Sequence, residues 1–233
     1  MNVLEVDGLC AGYGGLPIVQ ELSLTVGSGE VVAIIGRNGA GKTTALAAIA
    51  GLLRYSAGRL AVDGKPLVGA PFRRSRHEIG LVLEGRSVFP SLTVAQNLSV
   101  GRVTADAVFA SFPELKRRKN VRAGDLSGGE QQILSLARAI ARAPRVLLID
   151  ELSFGLAPVI CNRLFDVIRQ YAGAGHSVLL VEQHLHYAEV VADRVLVMHQ
   201  GRISLETSAA DLRSREAEIE RVYLGGAAVK TSG

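Results

Sequence analysis

The stretch "GRNGAGKTT", Gly36 to Thr44, sets three glycines around a polar turn and ends in a lysine and two hydroxyls. It fits the pattern G-x-x-x-x-G-K-[ST], follows the apolar run "EVVAIIG" and opens the helical pattern "KTTALAAIAGLL". That strand–loop–helix context gives the pattern its meaning. Glycines let backbone N–H groups close around phosphate oxygens, and a helix N-terminus behind them favours an anion. The spacing therefore predicts a triphosphate-binding set of Gly36, Arg37, Asn38, Gly39, Ala40, Gly41, Lys42, Thr43 and Thr44. Lys42 would reach the β- and γ-phosphates, and Thr43 would offer its hydroxyl to Mg²⁺.

A matching acidic pair stands at the end of "RVLLIDE". Neighbouring residues on a strand point to opposite sides, so Asp150 and Glu151 can take different tasks. Asp150 would hold Mg²⁺ through its water shell. Glu151 would polarise the water that attacks the γ-phosphate, a general-base role worth roughly 10²–10⁴ in rate.

A third stretch, "LSGGEQQILSLARAIAR" from Leu126 to Arg142, supplies a second helix start suited to an anion. Ser127 is a good N-cap, Gly128 and Gly129 leave backbone N–H groups uncovered, and Ile133, Leu136, Ala137 and Ile140 make one apolar stripe. One phosphate loop and one separate phosphate-seeking helix make sense together if two copies face each other, each helix start closing on the partner's ATP.

The elements around these motifs read as an α/β chain. "EVVAIIG", "IGLVL", "RVLLID", "SVLLVE" and "RVLVM" are continuously apolar, as in a parallel sheet covered on both faces. "LEVDGLCAGY", "IVQELSLTV" and "GRLAVDG" alternate more and predict an antiparallel sheet beside it. Between Phe89 and Pro144 the strand pattern gives way to helices, "LTVAQNLSVG", "DAVFASFPEL" and "EQQILSLARAIAR". The expected organisation is one domain over 1–233: 1–85 and 143–233 form the α/β core with its β subdomain, and 86–142 an inserted helical subdomain.

Composition sets the outer limits. The chain has 233 residues, 48% of them hydrophobic, and a formal net charge of +4, too mild to imply nucleic-acid binding. Cys10 and Cys161 lie far apart, with neither a disulfide framework nor a metal-ligand spacing around them. No secretory leader opens the chain, and no run nears the roughly 20 apolar residues of a membrane span. A cytoplasmic location is expected, with any membrane attachment made through another protein. "KRRKNVR", Lys116 to Arg122, concentrates positive charge that could face phosphate, lipid or an acidic partner, or simply solvent.

With the phosphate loop, "LSGGEQQ" and the acidic strand in this order and spacing, the sequence resembles the ATP-binding subunits of ABC transporters from about Leu4 to Leu224. The resemblance implies a P-loop NTPase (RecA-like) fold, a nucleotide sandwich dimer, Mg²⁺-dependent ATP hydrolysis and separate membrane permease subunits. It implies that Tyr13, in "AGYGG", stacks on adenine, and that Ser127, Gly128, Gly129 and Glu130 meet the partner's ATP. Glu84 occupies the place usually held by a glutamine that senses Mg²⁺, which makes it a third metal candidate with Thr43 and Asp150. Leu152 and Ala157 replace a proline and an aspartate common in the family, with weaker coupling between sites as a possible consequence.

"EGRSVFPSLTVAQNL", "DELSFGLAP", "LLVEQ" and "VYLGG" resemble in particular the ATPases of branched-chain amino-acid importers, and the related urea and short-chain amide importers are similar too. Such importers usually pair two non-identical ATPases with two permeases and an external solute-binding protein, while homodimer or heterodimer stays open for this chain. Only about a dozen residues separate Gly101 from Phe112, which implies a reduced permease-docking surface. Exporter ATPases differ mainly in their partners. Soluble ABC-type ATPases that act on nucleic acid generally carry two such domains or a long coiled coil, and a small-molecule kinase has no use for "LSGGEQQ".

"LLVEQHLHYAE" poses a choice of residue. Family members place a histidine near the γ-phosphate just after this strand. Counted from Ala192-Asp193-Arg194, that place falls on Gln183, with His184 the alternative and His186 on the helix surface. A glutamine amide can donate to phosphate but cannot carry an imidazolium's proton.

Overall fold

The computed structural model describes residues 2–68, 79–85, 87–101 and 104–223. Strands β1 (Asn2–Tyr13) and β2 (Leu16–Gly27) form a hairpin turned by Gly14 and Gly15. β3 (Val31–Ile35) then leads through the glycine-rich loop into helix α1 (Lys42–Ala50). β4 (Tyr55–Val62) returns antiparallel to β1, with the short β5 (Lys65–Pro66) beside it, giving the sheet order β2-β1-β4-β5.

The second sheet collects the continuously apolar runs. β6 (Ile79–Val82), β7 (Val146–Asp150), β8 (Ser177–Glu182), β9 (Arg194–His199) and β10 (Arg202–Ser208) join β3 in the order β10-β9-β3-β8-β7-β6. All its pairings are parallel except β9 with β10. Between β6 and β7 lie helices α2 (Val94–Val100), α3 (Ala105–Ser111), α4 (Pro113–Arg117) and α5 (Gly128–Ile140). Helices α6 (Pro158–Gly173), α7 (Leu185–Val191) and α8 (Glu216–Tyr223) follow β7, β8 and β10.

Strand parity explains the apolar runs. Val32, Ile34, Val146, Leu148, Leu179 and Val181 point to one face, where Leu46 and Ile49 of α1 and the β1–β2–β4 sheet cover them. Val31, Ala33, Leu147, Ile149, Val178 and Leu180 point to the other, against Ile133 and Leu136 of α5 and Leu164 and Phe165 of α6. Every residue of β3, β7 and β8 is buried. Full burial of each such side chain contributes on the order of 2 kcal/mol, so the strands that end at the phosphate loop and the acids are the most firmly held.

Three local features differ from the sequence reading. "IGLVL" is an edge strand, with Gly80 and Leu81 only half buried. β10 was not anticipated, because a register shift between Ile203 and Leu205 breaks the alternation and sends them to opposite sides of the sheet. "DAVFASFPEL" is two helices, since Pro113 has no N–H to continue α3 and instead starts α4.

Candidate functional site

The phosphate loop takes its shape from two glycines. A Cβ on Gly36 would lie 2.4 Å from the Met198 carbonyl oxygen, so only glycine lets the loop pass β9 this closely. Gly41 caps α1 at φ +103°, with no side-chain cap and no acidic residue in the first turn. The helix start is therefore open to an anion. Ala40 is buried, and its carbonyl accepts the Gly201 N–H at 2.9 Å, which ties the loop to the β9–β10 turn. Arg37 donates from Nη1 to the Tyr223 carbonyl at the end of α8, 3.3 Å away.

Lys42 is 4% exposed and folds along the loop. Its Nζ donates to the carbonyls of Gly36 at 2.9 Å and Arg37 at 3.3 Å, and lies 3.7 Å from Glu151 Oε1. Burial lowers its pKa, while Glu151 and Asp150 oppose that shift.

The acids sit where strand parity sends them. Asp150, on the same face of β7 as Val146 and Leu148, turns toward α1 and accepts from Thr43 Oγ1 at 3.2 Å. Burial pushes its pKa up to about 6, against the Thr43 hydrogen bond and reinforced by the charges of Glu151 and Glu84. Glu151 leaves the strand at φ +43°, the left-handed region that side chains seldom adopt. Its N–H donates to the Val181 carbonyl at 3.0 Å, and its Oε2 accepts from Gln183 Nε2 at 2.6 Å.

Lys42, Glu151 and Gln183 line one cavity of about 470 Å³, with Tyr13, Ile18, Asn38, Gly39, Gly41, Thr43, Thr44, Glu84 and Phe154, while Asp150 lies behind Thr43 and does not line it. Tyr13 is 56% exposed at its rim, free to lie against a flat ring. A smaller cavity beside it joins Glu84, Glu151 and Phe154 to Gln132 of α5. His184 does not line the larger cavity; it caps α7, edge-on to Tyr187 at 5.8 Å. His186 is exposed on the same helix.

Ser127, Gly128, Gly129 and Glu130 line neither cavity. Ser127 and Glu130 form a capping box: Ser127 Oγ accepts the Glu130 N–H at 3.3 Å, and Glu130 Oε2 accepts the Ser127 N–H at 2.9 Å. Glu130 is also 3.0 Å from Arg118 of the basic run. Partial burial works against ionisation here, yet the Ser127 and Arg118 hydrogen bonds hold the Glu130 carboxyl below its ordinary range. The remaining N–H groups of the two glycines thus belong to a rigid, outward-facing helix start. Leu152 is buried in the core and Ala157 precedes α6 without capping it by a side chain.

The sequence reading missed Ile18, Phe154, Gln132, Ser153 and Glu182. Ser153 and Phe154 come two and three residues after Glu151, and that proximity was the available signal. Gln132 ends "LSGGEQQ" and Ile18 opens "IVQELSLTV", but those patterns mark a helix start and a strand and do not tell that these side chains reach the cavities.

Residues 19–153 match the family described as ABC transporter. The high-affinity branched-chain amino acid transport ATP-binding protein BraG of Pseudomonas aeruginosa is 40% identical over 96% of this chain and 100% of its own length. The probable branched-chain amino acid transport ATP-binding protein LivF of Archaeoglobus fulgidus is 31% identical over 96% and 99%. The lipopolysaccharide export system ATP-binding protein LptB of Haemophilus influenzae is 30% identical over 97% and 98%. Among solved structures, an ATP-binding subunit of an ABC transporter superposes with a TM-score of 0.82 at 26% identity, over 96% of this chain and 98% of that one. A nucleotide-free ATP-binding cassette gives 0.87 at 22% identity, over 97% and 99%. With a family match over more than half its length and relatives aligned end to end, this chain belongs to the ABC transporter family and is one of its ATP-binding, ATP-hydrolysing subunits.

Proposed function

We propose that the chain is the energy-coupling ATPase of an importer for branched-chain or related amino acids. The end-to-end 40% identity to BraG carries the solute class. In this reading the chain acts with two permease subunits and, through them, a solute-binding protein, on the inner face of the cell membrane. Among the described residues no helix is long and apolar enough to cross a membrane, which accords with a separate permease.

Gly36 to Thr44 would cradle the triphosphate and Tyr13 would stack on the adenine. Glu151 would take the proton of the attacking water, while the Gln183 amide, already directed at Glu151, would hold that water and a γ-phosphate oxygen. The signature residues Ser127 to Glu130 would close on the ATP of a second ATP-binding subunit, identical or not.

The residues suit Mg²⁺. A hydroxyl, Thr43, already meets a buried carboxylate, Asp150, and Glu84 lines the same cavity. Among the described residues no cluster of three His, Cys, Asp or Glu could hold an ion outright. That is the donor set of an ion that keeps waters and shares its substrate's phosphates. Bound there, Mg²⁺ supplies positive charge to the phosphate oxygens.

Uptake of radiolabelled leucine by cells lacking this chain, with and without a plasmid copy, tests the reading. Uptake should fall on deletion and return with the intact chain but not with Lys42→Ala. Undiminished uptake of leucine, isoleucine and valine in the deletion strain would contradict it.

A further inference from the structure

Behind the Glu151 turn lies a buried carboxylate to which none of these roles falls. Glu182, the last residue of β8, is 1% exposed and sits on the helix-covered face with Val178 and Leu180. Three donors converge on it. Its Oε1 accepts the Ser153 N–H at 3.2 Å, and its Oε2 accepts the Ser153 hydroxyl at 2.8 Å and the Gln183 N–H at 3.3 Å. Among the described residues no cation comes within ion-pair distance of it. A buried carboxylate with no cation beside it is held by its hydrogen bonds, and an acceptor-only group is the one that fits three donors.

What those donors carry is informative. Ser153 is two residues beyond Glu151, whose left-handed backbone is strained and persists only where neighbours hold it. On one side the Val181 carbonyl holds the Glu151 N–H; on the other, Glu182 holds Ser153 by two bonds. The same carboxylate also holds the backbone of Gln183, whose amide meets Glu151. One side chain thus anchors Gln183 at its main chain and, through Ser153, the turn that carries Glu151.

We propose that Glu182 is a positioning residue for ATP hydrolysis, fixing the Glu151 turn through Ser153 and Gln183 through its N–H. It lines neither of the two cavities. The proposal rests on Glu151 being the general base. A misplacement of about 1 Å in such a group can cost roughly 100-fold in rate without weakening substrate binding.

The test measures kcat and KM for ATP, and affinity for a fluorescent ATP analogue, on the full chain carrying Glu182→Ala, Glu182→Gln, Ser153→Ala or Glu151→Gln, with thermal unfolding as the check on folding. Glu182→Ala should lower kcat roughly 10- to 100-fold with KM and analogue affinity within about twofold of the parent. Glu182→Gln keeps an acceptor for the Ser153 N–H but sets an NH₂ group where an oxygen accepts the Gln183 N–H, so it should recover only part of that loss. Ser153→Ala should lower kcat several-fold, and this decides the matter should Glu182→Ala not fold. Parental kcat in the folded Glu182→Ala or Ser153→Ala chain overturns the proposal, as does a fall in affinity that matches the fall in kcat. A parental rate in Glu151→Gln overturns the base assignment instead, so the two failures are distinguishable.

Discussion

At the scale of single residues, hydrolysis depends on how the chain leaves β7. Asp150 is placed by strand parity alone, and Glu151 by a left-handed turn that its neighbours must hold. The phosphate loop, Asp150 and Glu151 were legible in the sequence because each is written in consecutive residues with a periodic strand before it. Glu182 was not, since Ser153 lies 29 residues away and nothing local marks the contact. Gln183 and His184 differ by one position, and side-chain direction separates them: one donates to Glu151, the other lies edge-on to Tyr187. Gln183→Ala should therefore slow steady-state ATP hydrolysis at least about tenfold, within the range of a lost proton-transfer or orienting partner, and His184→Ala should change it less than twofold. The opposite order of rates would return the role to the histidine.

Among elements, the central strands position the chemistry. Continuous apolarity in "AII", "VLLI" and "VLLV" was enough to read a sheet covered on both faces, because every residue there meets a core. At the edges the rule loses force. β6 and β10 are the two edges of the sheet, where residues such as Leu81 and Ile203 are only half buried, and Pro113 divides a helix that periodicity alone reads as continuous. Leu148, fully buried between α1 and the antiparallel sheet, is two residues before Asp150. Leu148→Ala should cost about 2–5 kcal/mol in urea unfolding. A change under about 1 kcal/mol would mean that β7 is not the rigid support described.

For the molecule as a whole, buried acids make stability depend on pH. Burial pushes Glu182 up to about 7, against its hydrogen bonds to Ser153 and Gln183, from 4.5 when exposed. Between those values the folded chain holds the proton more tightly than the unfolded one. Stability from this group is complete below about 4.5 and is lost as pH rises through about 7, by about 3 kcal/mol at most. Glu182→Gln cannot ionise, so its unfolding free energy relative to the parent should improve between pH 5 and pH 8. A constant difference across that range would show that Glu182 titrates normally.

In the proposed function the site serves one act, the removal of a proton by Glu151 from water beside the γ-phosphate. ATP hydrolysis by the Glu151→Gln chain, measured with its ATP affinity, tests this most directly. The amide keeps the size of the side chain but cannot take the proton. Hydrolysis should fall by roughly 10²–10⁴ while ATP remains bound with near-parental affinity. Hydrolysis at the parental rate would contradict the account.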